Sequence, residues 1–311
     1  MDGLRVAIYG AGLVAGNLAR VLATRPSIAV HGPYGRSERS AALGSGADVV
    51  VIATTSFLAA VADDVREAIE AGSNVITTAE EAAFPWANDA AIADRLDALA
   101  RSRGVTVLGA GLNPGYAFDA LVVTACGYAW SVDALEVVRV VDLSGFGATV
   151  MGRLGIGYSP EGFRAGVEAG TIFGHIGFPQ SMHVVAGKLG VEIERIERSM
   201  EPIFARDALA CRELTVEPGT SAGFEQRYVA HAAGKPWFEA IFTGHVGLHE
   251  IGLEPRDEIH VLGETPLHLT VSPGMNPQIG SAAVLANSLR RVVAAPPGWT
   301  TVADLPPAAP V

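Results

Sequence analysis

Through its first 130 residues the chain alternates short, wholly apolar runs with longer stretches of mixed polarity. The run LRVAIY at 4–9 precedes a helical pattern from Leu13 to Thr24, which Arg25-Pro26 stops because proline cannot continue a helix. Further strands are expected at Ser27 to Val30, Asp48 to Ala53, Asn74 to Thr77 and Val105 to Leu108. Helices are expected at about Leu58 to Ala71, at about Asn88 to Arg103, and from Ala117 towards Cys126. Apolar strands alternating with helices imply a parallel sheet wrapped on both faces, an α/β arrangement of Rossmann type. The stretch His31 to Ala47, rich in Gly and Ser, is too short for a full crossover, so half of one unit is missing.

From Leu135 the period changes to two, in LEVVRVVDLS, VEIERIERSMEPI, FEQRYVAHAAGKPWFEAIFTGHV and PRDEIHVLGETPLHLTVSP. Longer alternating strands of this kind belong to an antiparallel sheet with one dry face. Pro160 to Gly190 is expected to form two helices, and Gly280 to Ala295 a closing helix. The tail from Pro296 is a poor fold former, expected to wrap or fray. The expected organisation is an α/β domain over 1–130, an α+β domain with a mainly antiparallel sheet over 131–278, and a helix and tail over 279–311 that return to the first domain.

The first strand runs straight into GAGLVAG, and its glycine spacing is that of a dinucleotide-binding turn. Gly10 permits the tight turn, and Gly12 removes a side chain that would hold a pyrophosphate away. Leu13 and Val14 open the helix whose amides face the phosphates, and Ala15 with Gly16 keeps that helix close to the sheet. No acid follows the second strand to bond a ribose 2′-hydroxyl. Arg36, Ser37 and Arg39 stand there instead, and guanidinium groups with a hydroxyl suit a 2′-phosphate, so NADP(H) is the expected preference, with NAD(H) left open. As a bland alternative, the same arginines are a solvated loop.

Thr54, Thr55 and Ser56 follow the strand at Asp48 to Ala53, where they either touch the cofactor or cap the next helix. Glu80 and Glu81 follow the next strand end in ITTAEEAAFPW. Apolar neighbours and an adjacent like charge raise a carboxyl pKa, which suits proton transfer; the alternative is a pair of helix-start acids. Asn113-Pro114-Gly115 follows the last strand of the domain and aims an amide at the same crevice. Phe84, Trp86, Tyr116 and Phe118 are candidates for a dry wall around a substrate, and equally for core packing. His175, framed by glycines, is a further pocket candidate, with a satisfied core histidine as the commoner outcome. Arg153 and Arg139 are the candidates for holding a substrate carboxylate.

The 311 residues are 49% hydrophobic and 18% charged, enough for a large core and for two domains. A net charge of −11 argues against nucleic acid or an anionic membrane as the main partner. Cys126 and Cys211 make no disulfide framework, which fits a reducing cytoplasm. No apolar run approaches a membrane span and no leader precedes the first strand, so the expectation is a cytoplasmic, unprocessed protein. The eight histidines show no metal constellation, and His245 and His249, in one apparent strand, read as structural. The strands at Phe224 to Val246 and Ile259 to Val271 each carry one apolar face, and the surface they leave to cover suggests a homodimer.

The segments GAGLVAG, ADVVVIATTS, NVITTAEEAAFPW, GVTVLGAGLNPGYAFDAL, RLGIGYSPEGF, GHIGFPQS and APPGWTTVADLP stand in the order found in 2,4-diaminopentanoate dehydrogenase and the native amine dehydrogenases. The chain resembles that family nearly from end to end, and its first domain is similar to that of dihydrodipicolinate reductase. The paired-histidine and lysine motifs of the latter are absent, so its reaction is not implied. The resemblance implies NAD(P)-dependent interconversion of a small carbonyl compound plus ammonia with a primary amine, with a catalytic carboxylate in the AEE segment, here Glu80 or Glu81. The segment 31–47 is shorter than the family pattern, which bears on cofactor preference. Two other readings stay open: a C–O dehydrogenase or imine reductase, and a non-catalytic NADP(H)-sensing protein.

Overall fold

The computed structural model describes residues 3–212 and 214–310. They divide into two compact units, the first made of residues up to 124 with 179–190 and 276–311, the second of 125–178 with 191–275. The domain expected over 131–278 thus loses residues 179–190 to the first unit.

The first unit is built on a parallel sheet of six strands in the order β14-β5-β4-β3-β1-β2. Its members are β1 (Leu4–Tyr9), β2 (Ile28–Tyr34), β3 (Val49–Ile52), β4 (Asn74–Thr77), β5 (Thr106–Gly109) and β14 (Gly298–Thr300). Helices α1 (Leu13–Ala23), α2 (Arg39–Leu43), α3 (Leu58–Glu70), α4 (Ala90–Arg103) and α5 (Ala120–Cys126) lie between or after these strands. Side chains alternate across the sheet, so Ala7, Tyr9, Val50, Ile52, Val75 and Val107 meet α3 and α4 while Val6, Ile8, Val49, Val51, Ile76 and Leu108 meet α1 and the C-terminal helix α9 (Pro277–Ala294). Both faces are dry, which is why these strands read as continuous apolar runs.

The shortened crossover after β2 holds only a 3₁₀ turn at Arg36–Glu38 and the five-residue α2. The tail differs from the expectation of fraying. Gly298–Thr300 pairs in parallel with β5, Asp304 takes the amide and hydroxyl of Thr301, and Lys188 binds Asp304 at 2.5 Å. A three-residue strand gives too short a pattern to show in the sequence, and the edge of an existing sheet supplies its order.

The second unit has its own six-stranded sheet, ordered β13-β12-β6-β11-β10-β7. These are β6 (Ala134–Asp142), β7 (Arg195–Phe204), β10 (Ser221–Ala232), β11 (Lys235–His245), β12 (Arg256–Leu262) and β13 (Leu267–Val271), with β8 (Leu209–Ala210) and β9 (Thr215–Val216) as a separate ribbon. Neighbours are antiparallel except β6 and β11, which are parallel. Helices α6 (Ala148–Arg153) and α7 (Pro160–Glu168) supply Met151 and Phe163 to a core shared with Phe224 and Val246; α8 (Phe178–Leu189) then leads into the first unit. The apolar faces of these strands therefore meet their own unit's core. Strand alternation puts Glu136, Val138, Val229, Glu239, Ile241, Glu258 and His260 on the opposite, mixed face. Among the described residues no helix is long and apolar enough to cross a membrane.

Candidate functional site

Chain order takes β1 to β2 on one side and β3 on the other, so the carboxyl ends of β1 and β3 flank the switch point where parallel sheets open a crevice. Two glycines there have different causes. Gly10 has φ +133°, and a Cβ on it would lie 2.3 Å from the Ala53 carbonyl oxygen, so the fold itself requires glycine. At Gly12, which is exposed, a Cβ would meet nothing within 4 Å, so packing does not require glycine there. Dinucleotide pyrophosphate fits that open space, beside the first amides of α1. Leu13 is 60% exposed and Val14 half-buried at that helix start. Ala15 is fully buried as expected, but Gly16 is exposed with open space around it and does not serve close packing.

After β2, Arg36 and Ser37 are exposed. Arg39 is engaged elsewhere, its guanidinium bonded to Asp64 at 2.6 Å and to Glu67 at 2.5 Å on α3. It is a strut between α2 and α3, while Arg36 is exposed. The preference for a 2′-phosphate expected of this loop makes a direct prediction. Arg36→Ala should weaken NADPH about tenfold or more, the worth of a charge-assisted hydrogen bond, with NADH nearly unchanged; titration of both cofactors checks it. Arg39→Ala should instead lower the melting temperature.

Beyond β3 and β4 the candidate groups hold one another. Thr54 is exposed, and the Thr55 hydroxyl accepts the Phe57 amide at 3.3 Å. Ser56 Oγ donates to Glu80 Oε1 at 2.9 Å. Glu81 Oε2 accepts the Leu58 amide at 2.7 Å and so caps α3 from another segment, satisfying one of its orphan donors. Burial pushes the Glu81 carboxyl up, opposed by that amide and reinforced by the Glu80 charge.

Both acids stand on a 3₁₀ turn, Glu80–Ala83, whose backbone is gripped from two sides. Gly109 at the end of β5 touches it so closely that a Cβ there would lie 2.2 Å from the Ala82 carbonyl. From β14, the nearly buried Trp299 donates its indole N–H to the Ala82 oxygen at 3.1 Å. Trp299 explains part of the PPGWTT motif.

The NPG turn after β5 is organised by a residue that the sequence reading passed over. Asp119, fully buried, accepts the Gly115 amide at 2.6 Å, the Ala120 amide at 2.7 Å and the Ser181 hydroxyl of α8 at 3.3 Å. Its signal was an acid directly before an apolar helix, the position of a cap. Gly115, at φ +130°, would drive a Cβ to 2.2 Å from the Gly111 amide nitrogen. The turn leaves Asn113 Oδ1 buried with no hydrogen-bond partner among the described residues, an acceptor that a ligand's amide or ammonium donor would satisfy. Tyr116 borders a cavity of about 150 Å³ with Arg291 of α9 and Leu305 of the tail. Phe118 is fully buried core and no pocket wall.

Burial raises the Asp119 pKa from 3.8 to about 6, outweighing its hydrogen bonds. The protonated acid is therefore favoured by folding. Its contribution to stability is present below about pH 4 and is lost as pH rises through about 6. Relative to wild type, Asp119→Asn should thus gain about 2 kcal/mol in unfolding free energy between pH 4 and pH 7, measured by urea denaturation at several pH values.

Phe84 stacks on His183 of α8, with ring centroids 5.3 Å apart and planes 8° from parallel. Burial lowers the His183 pKa. Trp86 meets Phe84 edge-on at 5.6 Å and donates its indole N–H to Asp94 of α4 at 2.8 Å, which ties it to the helix scaffold.

The remaining candidates belong to the second unit. His175 donates its amide to Gln226 Oε1 at 2.9 Å, and its ring meets Phe178 and Phe242 edge-on in an aromatic core. Arg139 does not bind a substrate carboxylate, because it is buried 3.1 Å from Asp257, and the two also hold the carbonyl and amide of Met275. Arg153 lies over the Phe173 ring, 5.9 Å from its centroid. His245 ends β11, while His249 sits in a 3₁₀ turn at Leu248–Ile251, exposed and 3.1 Å from Glu250; Gly247, at φ +66°, turns the chain between them. Cys126 is buried, which pushes its thiol pKa up, and Cys211 donates to the Leu214 carbonyl.

A parallel sheet with a glycine turn at its switch point and carboxylates at the next strand ends defines an α/β oxidoreductase. Comparison makes this specific. The model of the 2,4-diaminopentanoate dehydrogenase C-terminal domain matches residues 116–311. The 2,4-diaminopentanoate dehydrogenase of Acetoanaerobium sticklandii is 30% identical, covering 98% of this chain and 94% of that one. The chain belongs to the 2,4-diaminopentanoate dehydrogenase family and is an enzyme of the oxidoreductase class. An amine dehydrogenase structure from Mycobacterium smegmatis has the same fold, with a TM-score of 0.86, 22% identity, and coverage of 99% of this chain and 97% of that one. A biliverdin reductase from Synechocystis is more distantly similar in fold, with a TM-score of 0.52, 14% identity, and coverage of 92% and 90%.

Proposed function

We propose that the protein is an NADPH-linked amine dehydrogenase that converts a small aldehyde or ketone and ammonia to a primary amine, and runs in reverse with NADP⁺. The observation that carries this reading is the carboxylate pair on the turn after β4, braced by Gly109 and Trp299, in a unit whose Gly12 leaves room for a pyrophosphate. In balance, the carbonyl compound, NH₃, NADPH and H⁺ give amine, NADP⁺ and water. When bound, the nicotinamide supplies the hydride at its C4.

The protein's part is proton handling and charge. With Glu81 committed to the α3 amide, Glu80 is the carboxylate that takes a proton from the attacking nitrogen and returns one to the departing hydroxyl. The Ser56 hydroxyl, donating to Glu80 Oε1, orients this carboxylate. Once water has left, the same negative charge stabilises the cationic iminium carbon that accepts hydride. Asn113 Oδ1 offers an acceptor for a cofactor carboxamide or substrate ammonium, and Phe84 over His183 forms an apolar wall that favours the iminium over its hydrolysis.

The chain acts, on this reading, as a homodimer joined through the mixed sheet face of the second unit, where Val138, Val229 and Ile241 interrupt the charged positions. Light scattering at micromolar concentration should give twice the 32.2 kDa chain mass, and a single-chain mass rejects the contact. The test of the function is an NADPH-oxidation screen over aldehydes, ketones and keto acids with and without ammonium, scored by amine product.

A further inference from the structure

The mixed face of the second sheet carries a cluster with no part in the amine chemistry. His260 of β12 and His268 of β13 are directly opposed across the strand pair, and β6 places Glu136 opposite His260 on its other side. The three side chains form one row across the sheet, and Glu258, two residues before His260, shares their face. The imidazoles stack 4.0 Å apart. His260 Nε2 lies 3.4 Å from Glu258 Oε2 and 3.8 Å from Glu136 Oε1. One ligand atom each from Glu258, His260 and His268 falls within 4.8 Å of the other two.

We propose that Glu258, His260 and His268, with Glu136 as fourth donor, bind a divalent transition-metal cation of the zinc class. A tetrahedral zinc ion with bonds of about 2.0 to 2.1 Å sets its donors about 3.4 Å apart. The His260–Glu258 separation already has that value, Glu136 Oε1 lies 3.8 Å from His260 Nε2, and the ligand atoms of Glu258, His260 and His268 stay within 4.8 Å of one another. Two imidazole nitrogens with two carboxylate oxygens suit zinc and its neighbours, whereas magnesium and calcium take oxygen donors. The outer contacts are also those of a metal site. Arg256 holds Glu258 Oε1 at 2.7 Å, leaving Oε2 turned to His260, and the Thr270 hydroxyl lies 3.2 Å from His268. An ordinary solvated ion pair accounts for Arg256 with Glu258 but not for two opposed imidazoles beside them. Bound metal would bridge β6, β12 and the outermost strand β13, making the ion a staple for a sheet edge. The spacing i, i+2 and i+10, with a fourth donor more than a hundred residues upstream, matches no metal motif. That is why no constellation is visible in the sequence.

The test uses the full chain, freed of any histidine tag and stripped with chelator, titrated with ZnCl₂ against a chromophoric competitor at pH 7.5. One high-affinity zinc per chain is expected, weakened at least about tenfold in His260→Ala and in His268→Ala. It should be unchanged in His249→Ala, which removes an exposed histidine outside the cluster. Saturating zinc should raise the melting temperature of wild type and not of the two cluster variants, whose unshifted zinc-free melting temperatures show that they fold. Absence of a stoichiometric zinc, or equal retention of it in His260→Ala and His268→Ala, overturns the proposal.

Discussion

Glu80→Gln should lower kcat by about 100-fold or more while leaving NADPH affinity nearly unchanged. The amide keeps the size and the Ser56 contact of the carboxylate but neither accepts a proton at neutral pH nor offsets the charge of an iminium carbon. Glu81→Gln is the informative companion. Its side chain is committed to the Leu58 amide at 2.7 Å, so its expected loss is about 1 kcal/mol of stability, as for a helix cap, with turnover largely retained. Steady-state rates and thermal melts on both variants separate the roles. Full turnover in both removes the pair from the chemistry; loss confined to Glu81→Gln exchanges their assignments.

A second large effect is expected from the reaction mixture. With a good carbonyl substrate, NADPH consumption should depend on ammonia and yield a primary amine, because the electrophile a carboxylate favours is a cation, not a neutral ketone. The rate should rise towards alkaline pH as free ammonia replaces ammonium and the carboxylate stays ionised. Equal NADPH consumption without ammonia, with alcohol accumulating, would assign the enzyme to C–O chemistry. Tight NADPH binding with no turnover on any carbonyl and ammonia would leave a sensing protein.

The parallel half of the fold was legible because its strands are buried on both faces, so each is a plain apolar run whose ends carry the glycine turn and the carboxylates. What stayed hidden depended on distant partners. Arg39 reads as a phosphate ligand until Asp64 and Glu67, a whole strand later, are seen to hold it. Arg139 reads as a substrate anchor until Asp257 is found beside it. Glu80 and Glu81 are indistinguishable as neighbours in a line, and only their partners, the Ser56 hydroxyl for one and the Leu58 amide for the other, set them apart. Asp119 carries only the local mark of a helix cap, and His183 carries none. His183 meets Phe84, and Ser181 meets Asp119, because α8 joins the first unit, which no local pattern announces.

The indole of Trp299 under the Ala82 carbonyl makes the acid-bearing turn depend on a residue 217 positions further along the chain. That brace cannot be in place before β14 has paired with β5. Until then β5 is a bare sheet edge, and exposed edges invite pairing with other chains. A chain in which β14 is undocked therefore holds both acids without the clasp that sets their turn and offers an open edge to other chains, so the docking of one short strand serves order at the turn and protection of the sheet together.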